Sequence, residues 1–107
     1  MTFEQAYAEL DGIAELESGW EADGDADVPS LYCIEWVRRL ISRLPELGIA
    51  APRLYPTHDG NILAEWEHDN LYISATTNEA MRRIFFIVID ADKGKQDFIC
   101  AFNPDAP

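Results

Sequence analysis

The longest uninterrupted apolar segment of the chain spans residues 84–89, six consecutive branched or aromatic residues. A run of this kind is typical of a β-strand that is covered on both faces, since a half-exposed strand alternates apolar and polar residues. We therefore predict that residues 82–90 form the central, enclosed strand of a sheet. The other elements of the chain are expected to cover it.

Two amphipathic segments precede this strand. Apolar residues recur at helical spacing after Thr2 and Gln5, which together have the pattern of a capping box, so a first helix is predicted over residues 3–17. A second apolar stripe at the same spacing predicts a helix over residues 30–44, which Pro45 ends or kinks. Both helices have a polar face and are expected to pack on the sheet.

The second half of the chain alternates apolar and polar residues between turn signals. The Asp59-Gly60 pair predicts a hairpin turn, and Pro56 suits an edge strand because proline lacks the backbone donor. The pattern predicts an α+β fold, a single domain over residues 1–107, with two N-terminal helices on one face of an antiparallel sheet of about five strands in meander order. The predicted strands cover about residues 53–57, 61–67, 70–76, 82–90 and 96–102.

The net charge of −12 is unevenly distributed along the chain. Residues 1–30 contain nine acidic residues and no Lys or Arg. Such a surface repels phosphate backbones and anionic lipids and attracts basic proteins, so direct binding of nucleic acid or membrane is disfavoured. The chain has no long apolar segment and no basic leader, so a cytoplasmic protein is expected. In that reducing compartment Cys33 and Cys100, which lie among apolar neighbours, are predicted to be free thiols.

Four acids in the loop after the first helix alternate in the manner of a calcium-binding loop: Glu21, Asp23, Asp25 and Asp27. The register does not fit. Counted from Asp23, the motif requires glycine where the chain has Val28, and counting from Glu21 fails in the same way. We therefore expect a solvated acidic loop without a metal ion.

The residue patterns of the chain do not indicate an enzyme active site. His58 and His68 lie in or beside predicted turns near aspartates, but no third residue is spaced to complete a metal site or a catalytic group. The serines lack a nucleophile-elbow context and the glycines are isolated, so no cofactor is expected. The prediction is a protein without enzymatic activity; an enzyme would require a convergent polar cluster in a well-formed pocket.

The three tryptophans differ in context. Trp36 and Trp66 fall on core-facing positions of a helix and a strand and are predicted to be buried. Trp20 lies between a helix end and the acidic loop. Two alternatives remain open for it: Trp20 closes the core, or it presents an aromatic ring beside carboxylates.

Three segments resemble a family of small, uncharacterised bacterial proteins. They are residues 10–20, which end in Gly19-Trp20; residues 43–45 with 51–53; and residues 56–60, Pro-Thr-His-Asp-Gly, followed by a strand with Glu-Trp at 65–66. In that family the first helix ends in Gly-Trp-Asp-Gly and a Pro-Thr-x-Asp-Gly turn precedes a strand ending in Glu-Trp. The match covers roughly residues 10–76 and departs where residues 19–24 read Gly-Trp-Glu-Ala-Asp-Gly. The resemblance implies a small accessory protein without an assigned enzymatic activity, as in relatives that are phage- or defence-associated.

The charge distribution leads to a functional hypothesis. The chain is predicted to be a non-enzymatic acidic inhibitor of a basic, nucleic-acid-handling protein, of the antitoxin, immunity or phage-encoded anti-CRISPR type. An alternative is a structural or assembly protein that self-associates through its sheet as a homodimer, with its charge serving only solubility. The residues predicted to bind the partner are Glu15, Glu17, Trp20, Glu21, Asp23, Asp25 and Asp27.

Overall fold

The computed structural model describes residues 2–17, 19–20, 24, 27–68, 70–90, 92 and 95–102, except for the side chains of His68 and of residues 95–102. It confirms the α+β class, with two helices and an antiparallel sheet. No helix in this part of the chain is long and apolar enough to span a membrane. The elements are α1 (Phe3–Ala14), α2 (Leu31–Arg43), a 3₁₀ helix (Pro45–Leu47), β1 (Arg53–Pro56), β2 (Ile62–His68), β3 (Leu71–Asn78), β4 (Arg83–Asp90) and β5 (Lys95–Phe102).

Helix α1 begins at the predicted capping box but ends earlier than expected. The Thr2 hydroxyl accepts the Gln5 N–H, and the Gln5 side chain accepts the Thr2 N–H at 2.8 Å. At the other end, the N–H groups of Glu15 and Leu16 bond carbonyls three residues back, which tightens the last turn. Glu15 is the C-cap, and Glu17 lies beyond the helix rather than within it.

Helix α2 is bounded by local signals at both ends. The Ser30 hydroxyl accepts the N–H of Cys33 at 3.3 Å and satisfies a donor that the helix leaves free. Pro45 starts the 3₁₀ helix, and Gly48 follows with a φ of 70°, a left-handed conformation that favours glycine. The chain then turns toward β1.

The strands follow one another in the sheet in chain order, β1-β2-β3-β4-β5, and all neighbours are antiparallel. Pro56 lies in the edge strand β1, as predicted. In register, Leu54 pairs with Ala64, Ala64 with Ala75, and Ala75 with Phe86. These positions share the face of the sheet that is turned toward the helices.

The core lies between this face and the two helices. Helix α1 packs against β1 and helix α2 against β2, so the helices cover the first half of the sheet. Trp36 and Trp66 are buried, as predicted, and Cys33 is a buried free thiol. The largest fully buried side chains belong to Leu10, Cys33, Ile41, Pro52, Ile62 and Ile84.

The prediction that residues 82–90 form a central, fully enclosed strand is wrong. The central strand is β3, and in the apolar run of β4 only Ile84 is buried, with 2% of its surface exposed. The reason is the meander order, which places β4 outside the half of the sheet that the helices contact. The remaining residues of the run are half-buried.

Candidate partner-binding surface

The predicted binding residues lie around the end of α1 and the loop that follows it. Glu15, Glu17 and Asp27 are exposed, and Trp20 is half-buried. The other three predicted residues, Glu21, Asp23 and Asp25, lie outside the described residues. The described carboxylates are therefore presented to solvent at the two ends of the acidic loop.

Trp20 connects the two ends of this loop. Its indole Nε1–H donates a hydrogen bond to the backbone oxygen of Asp27 at 2.8 Å. Gly19 approaches Gly24 so closely that a Cβ on Gly19 would stand 2.8 Å from the Gly24 oxygen, and Gly19 has a φ of 76°. A side chain at Gly19 would meet both a steric and a conformational penalty. Trp20 is half-buried, and its ring lies beside the backbone of Asp27.

The end of the acidic loop is attached to the turn between β1 and β2. The Asp27 N–H donates to the His58 carbonyl at 2.9 Å, and Asp27 and Asp59 form an isolated parallel bridge. Gly60 makes this approach possible, since a Cβ there would lie 3.3 Å from both the Asp27 Cβ and the Val28 oxygen. The structure thus brings Asp59, which we did not predict as a binding residue, to the acidic surface.

The turn that carries Asp59 is held by a polar network centred on Asn61. The Asn61 Oδ1 accepts hydrogen bonds from the Thr77 hydroxyl at 3.0 Å, the Glu79 N–H at 3.1 Å and the Cys33 thiol at 3.6 Å. The Asn61 N–H in turn donates to the Thr57 hydroxyl at 3.0 Å. One side chain therefore ties the turn to helix α2 and to the end of strand β3.

Asp59 is ionised more readily than an ordinary aspartate. The Thr57 hydroxyl donates a hydrogen bond to its carboxylate, which is the main reason that the pKa of Asp59 is lowered. Burial opposes this with the second-largest effect on the pKa, and Asn61, the backbone and the nearby His58 each lower the pKa by less. Asp59 is thus a fixed negative charge at neutral pH.

Two acidic side chains on α1 are paired with arginines. Arg38 lies 3.6 Å from Asp11, and Arg53 lies 3.3 Å from Glu9. Among the described residues, by contrast, no Lys or Arg lies within salt-bridge distance of Glu15, Glu17 or Asp27. The charges of these three carboxylates are therefore not neutralised by a described ion pair.

An exposed group of apolar and aromatic residues adjoins the acidic surface. Leu31, Tyr32 and Met81 are 81%, 58% and 59% exposed. The Arg82 guanidinium stands 5.4 Å from the centre of the Tyr32 ring and 5.6 Å from that of Trp36, distances typical of cation–π contacts. Sequence patterning missed this group because Arg82 and Tyr32 are far apart in the chain.

Asp59 and Arg82 both line an open pocket of about 650 Å³. Its lining is polar and comes from the turn after β1 and from the connection between β3 and β4. Arg82 has a φ of 52°, uncommon for a residue with a side chain, which marks this connection as a constrained segment. The residues around the pocket are Asp59, Asn61, Asn78, Glu79, Ala80 and Arg82.

A second pocket, of about 470 Å³, lies between the end of α2 and the sheet. Leu40, Leu44, Trp66 and Phe86 are among its apolar lining residues, and Glu67 is the one ionisable side chain that the described part of the chain contributes. This lining does not supply the convergent polar cluster that acid–base catalysis needs. In the described residues there is likewise no group of three or more His, Cys, Asp or Glu side chains that could hold a metal ion.

No protein-family model matches the chain, and comparison with curated proteins and with solved structures finds no significant similarity. The resemblance of residues 10–76 to a family of small bacterial proteins therefore stays a prediction. The function has to be argued from the surface itself.

Proposed function

We propose that this protein is a non-enzymatic acidic binding protein that neutralises a basic, nucleic-acid-handling protein. The observation that carries the proposal is an exposed carboxylate surface in which Glu15, Glu17 and Asp27 have no described ion pair and Asp59 is kept ionised by the Thr57 hydroxyl. Such a surface attracts a basic protein at long range and pairs with its Arg and Lys side chains on contact. An inhibitor of this type covers the partner's phosphate-binding site and needs no catalytic group of its own.

Rigidity of the surface supports the proposal. Trp20 fixes one end of the acidic loop through its bond to Asp27, and the Asp27 backbone is bonded to the turn that Asn61 holds. Charged groups that are already positioned lose less conformational entropy on binding than mobile ones. Asp27 and Asp59 are held in place by the fold, unlike charges on a flexible tail.

The residue types that lie beside the carboxylates also support the proposal. Tyr, Met and Arg are enriched in protein interfaces, and Tyr32, Met81 and Arg82 lie beside the acidic surface. Electrostatic complementarity speeds association and favours the right partner, whereas buried aromatic and apolar contacts supply most of the binding energy. The combined surface has both components.

The test uses the protein as bait in lysate of its native host, with captured proteins identified and the binding of the purified partner then measured. Glu17→Lys with Asp27→Lys is the test variant, and Glu46→Lys with Glu67→Lys is the matched control, since both pairs are exposed and change the net charge equally. We expect the test variant to lose at least about tenfold in affinity and the control to lose little. Wild-type binding should weaken as salt rises.

Two outcomes contradict the proposal. Equal losses in the two variants would mean that only net charge matters and that this surface is not a docking site. Unchanged affinity in the test variant, with folding verified by circular dichroism, would mean that the partner binds elsewhere.

A further inference from the structure

The apolar pocket of about 470 Å³ opens where the helices stop covering the sheet. Helix α2 packs against β2, and beyond this contact the pocket is bounded by Ile73 on β3 and Phe86 on β4. Both residues share the face of the sheet that is turned toward the helices. Leu40 and Leu44, at the end of α2, form the opposite wall. The pocket thus lies between the two layers of the fold.

The mouth of this pocket is apolar as well. Leu47 and Ile49 both line it, although their side chains are 68% and 43% exposed. Water beside such groups finds few hydrogen-bond partners, so its displacement by an apolar ligand is favourable. A ligand in the pocket would also remove Leu47 and Ile49 from solvent, which adds to the apolar area buried on binding.

The segment that forms this mouth is held in place by the fold. Gly48, with a φ of 70°, reverses the chain after the 3₁₀ helix, and the N–H of Ile49 then donates to the Leu44 carbonyl at 3.0 Å. The Trp66 indole N–H donates to the Ala50 carbonyl at 2.8 Å and joins the segment to β2. A site that exists before the ligand arrives costs little reorganisation, so more of the contact energy appears as affinity.

One carboxylate lies at the edge of the pocket. Glu67 is exposed and is the one ionisable side chain that the described residues contribute to the lining. Strand β1 begins at Arg53, opposite Glu65, so Glu67 lies past the end of β1. No Lys or Arg in the described part of the chain lies within salt-bridge distance of Glu67. A cationic group on a ligand would therefore meet a charge that no described ion pair neutralises.

We propose that this pocket binds a small amphiphilic amine, whose apolar body fills the space between α2 and the sheet and whose cationic nitrogen pairs with Glu67. The volume falls within the range of about 300–1,000 Å³ that is usual for sites of small organic ligands. Apolar contacts supply the affinity, and Glu67 adds selectivity for a cationic head group. None of the described residues of the acidic surface lines this pocket, so the inference does not depend on the function proposed above.

Isothermal titration calorimetry with three probes of equal chain length tests the proposal. The probes are octylamine, octanol and octanoate, which carry a cationic, a neutral and an anionic head group. We expect octylamine to bind with a Kd on the order of 0.1 mM, because burial of its alkyl chain supplies most of the affinity. Octanol should bind about threefold more weakly, since it lacks the charge that pairs with Glu67, and octanoate more weakly still.

Two matched substitutions test the role of the carboxylate. Because the whole chain has a net charge of −12, selectivity for a cation does not by itself locate the site. Glu67→Gln is therefore compared with Glu4→Gln, which removes the same charge at an exposed position of α1 outside the lining. We expect Glu67→Gln to abolish the preference for octylamine over octanol and Glu4→Gln to keep it. Equal effects of the two substitutions would overturn the assignment of Glu67, because net charge would then explain the selectivity.

A second matched pair locates the apolar body of the ligand. Ile49→Asn places a polar group at the mouth of the pocket, whereas Leu31→Asn makes a comparable change at an exposed position of α2 outside the lining. Ile49→Asn should weaken the binding of all three probes by at least about threefold, and Leu31→Asn should leave it unchanged. Leu47→Asn, at the more exposed position of the mouth, replaces the first variant if that variant does not fold.

The proposal is overturned if none of the probes binds the wild type. It is also overturned if the variants at Ile49 and Leu47 bind the probes as tightly as the wild type does, which would place the binding elsewhere. Sedimentation equilibrium without a probe checks the remaining occupant. A dimer that Ile49→Asn abolishes would contradict the proposal, because a second copy of the chain would then occupy the pocket.

Discussion

Replacement of Asn61 by alanine should destabilise the protein strongly although the residue is only half-buried. Its Oδ1 accepts hydrogen bonds from the Thr77 hydroxyl and the Glu79 N–H, and Thr77 is only 3% exposed. Loss of the bond to the half-buried Glu79 N–H costs about 1 kcal/mol, and leaving the buried Thr77 hydroxyl without its acceptor costs about 1–3 kcal/mol. The free energy of unfolding should fall by about 2–4 kcal/mol, which lowers the urea midpoint by roughly 1–2 M.

Urea unfolding followed by tryptophan fluorescence measures this loss. Asn70→Ala is the matched control, because Asn70 is exposed and its amide donates to the carboxylate of Asp92 at the surface. The control should change stability by less than about 0.5 kcal/mol. If Asn61→Ala stays within the same limit with an unchanged denaturant slope, the network does not hold the turn and our account of the Asp59 position fails.

Three further predictions concern single sites. Gly19→Ala should destabilise the fold by about 1–3 kcal/mol, because Gly19 has a left-handed backbone and lies close to the Gly24 oxygen. Gly12→Ala, in open space on α1, should stabilise the fold by about 0.5–1 kcal/mol. Thermal denaturation of the two variants should therefore show changes of opposite sign. The pKa of Asp59 is lower in the folded protein, so its contribution to stability is present above the ordinary value near 3.8 and is lost as the pH falls through the folded pKa. Thr57→Val should raise that pKa in a carboxyl NMR titration, and an unchanged pKa would show that the hydroxyl is not its cause. The pKa of Tyr72 should be about 12, since its hydroxyl donates a hydrogen bond to Glu65. The tyrosinate absorbance of the wild type minus that of Tyr72→Phe isolates this titration. A midpoint near 10 in that difference would contradict the prediction.

Much of the local structure follows from the sequence alone. The capping box at Thr2, the cap at Ser30 and the Asp59-Gly60 turn are each set by a few neighbouring residues, whose hydrogen bonds form within one turn of chain. Burial of Trp36 and Trp66 follows from helix and strand periodicity. The acidic character of the loop after α1 is likewise a property of composition.

Tertiary structure decided the features that join distant segments. The sequence led us to place β4 at the centre of the sheet, which is wrong. A run of apolar residues indicates that a strand is buried, but it does not say which elements bury it. The bridge from Asp27 to Asp59 and the stacking of Arg82 on Tyr32 were also missed.

Such contacts depend on how the sheet and helices bring remote residues together, and no short window of sequence contains both partners. The sequence by itself determined where helices and turns begin and how much negative charge the chain carries. Only the folded chain decided which carboxylates share a surface and which face of the sheet the helices cover, because both depend on packing between elements.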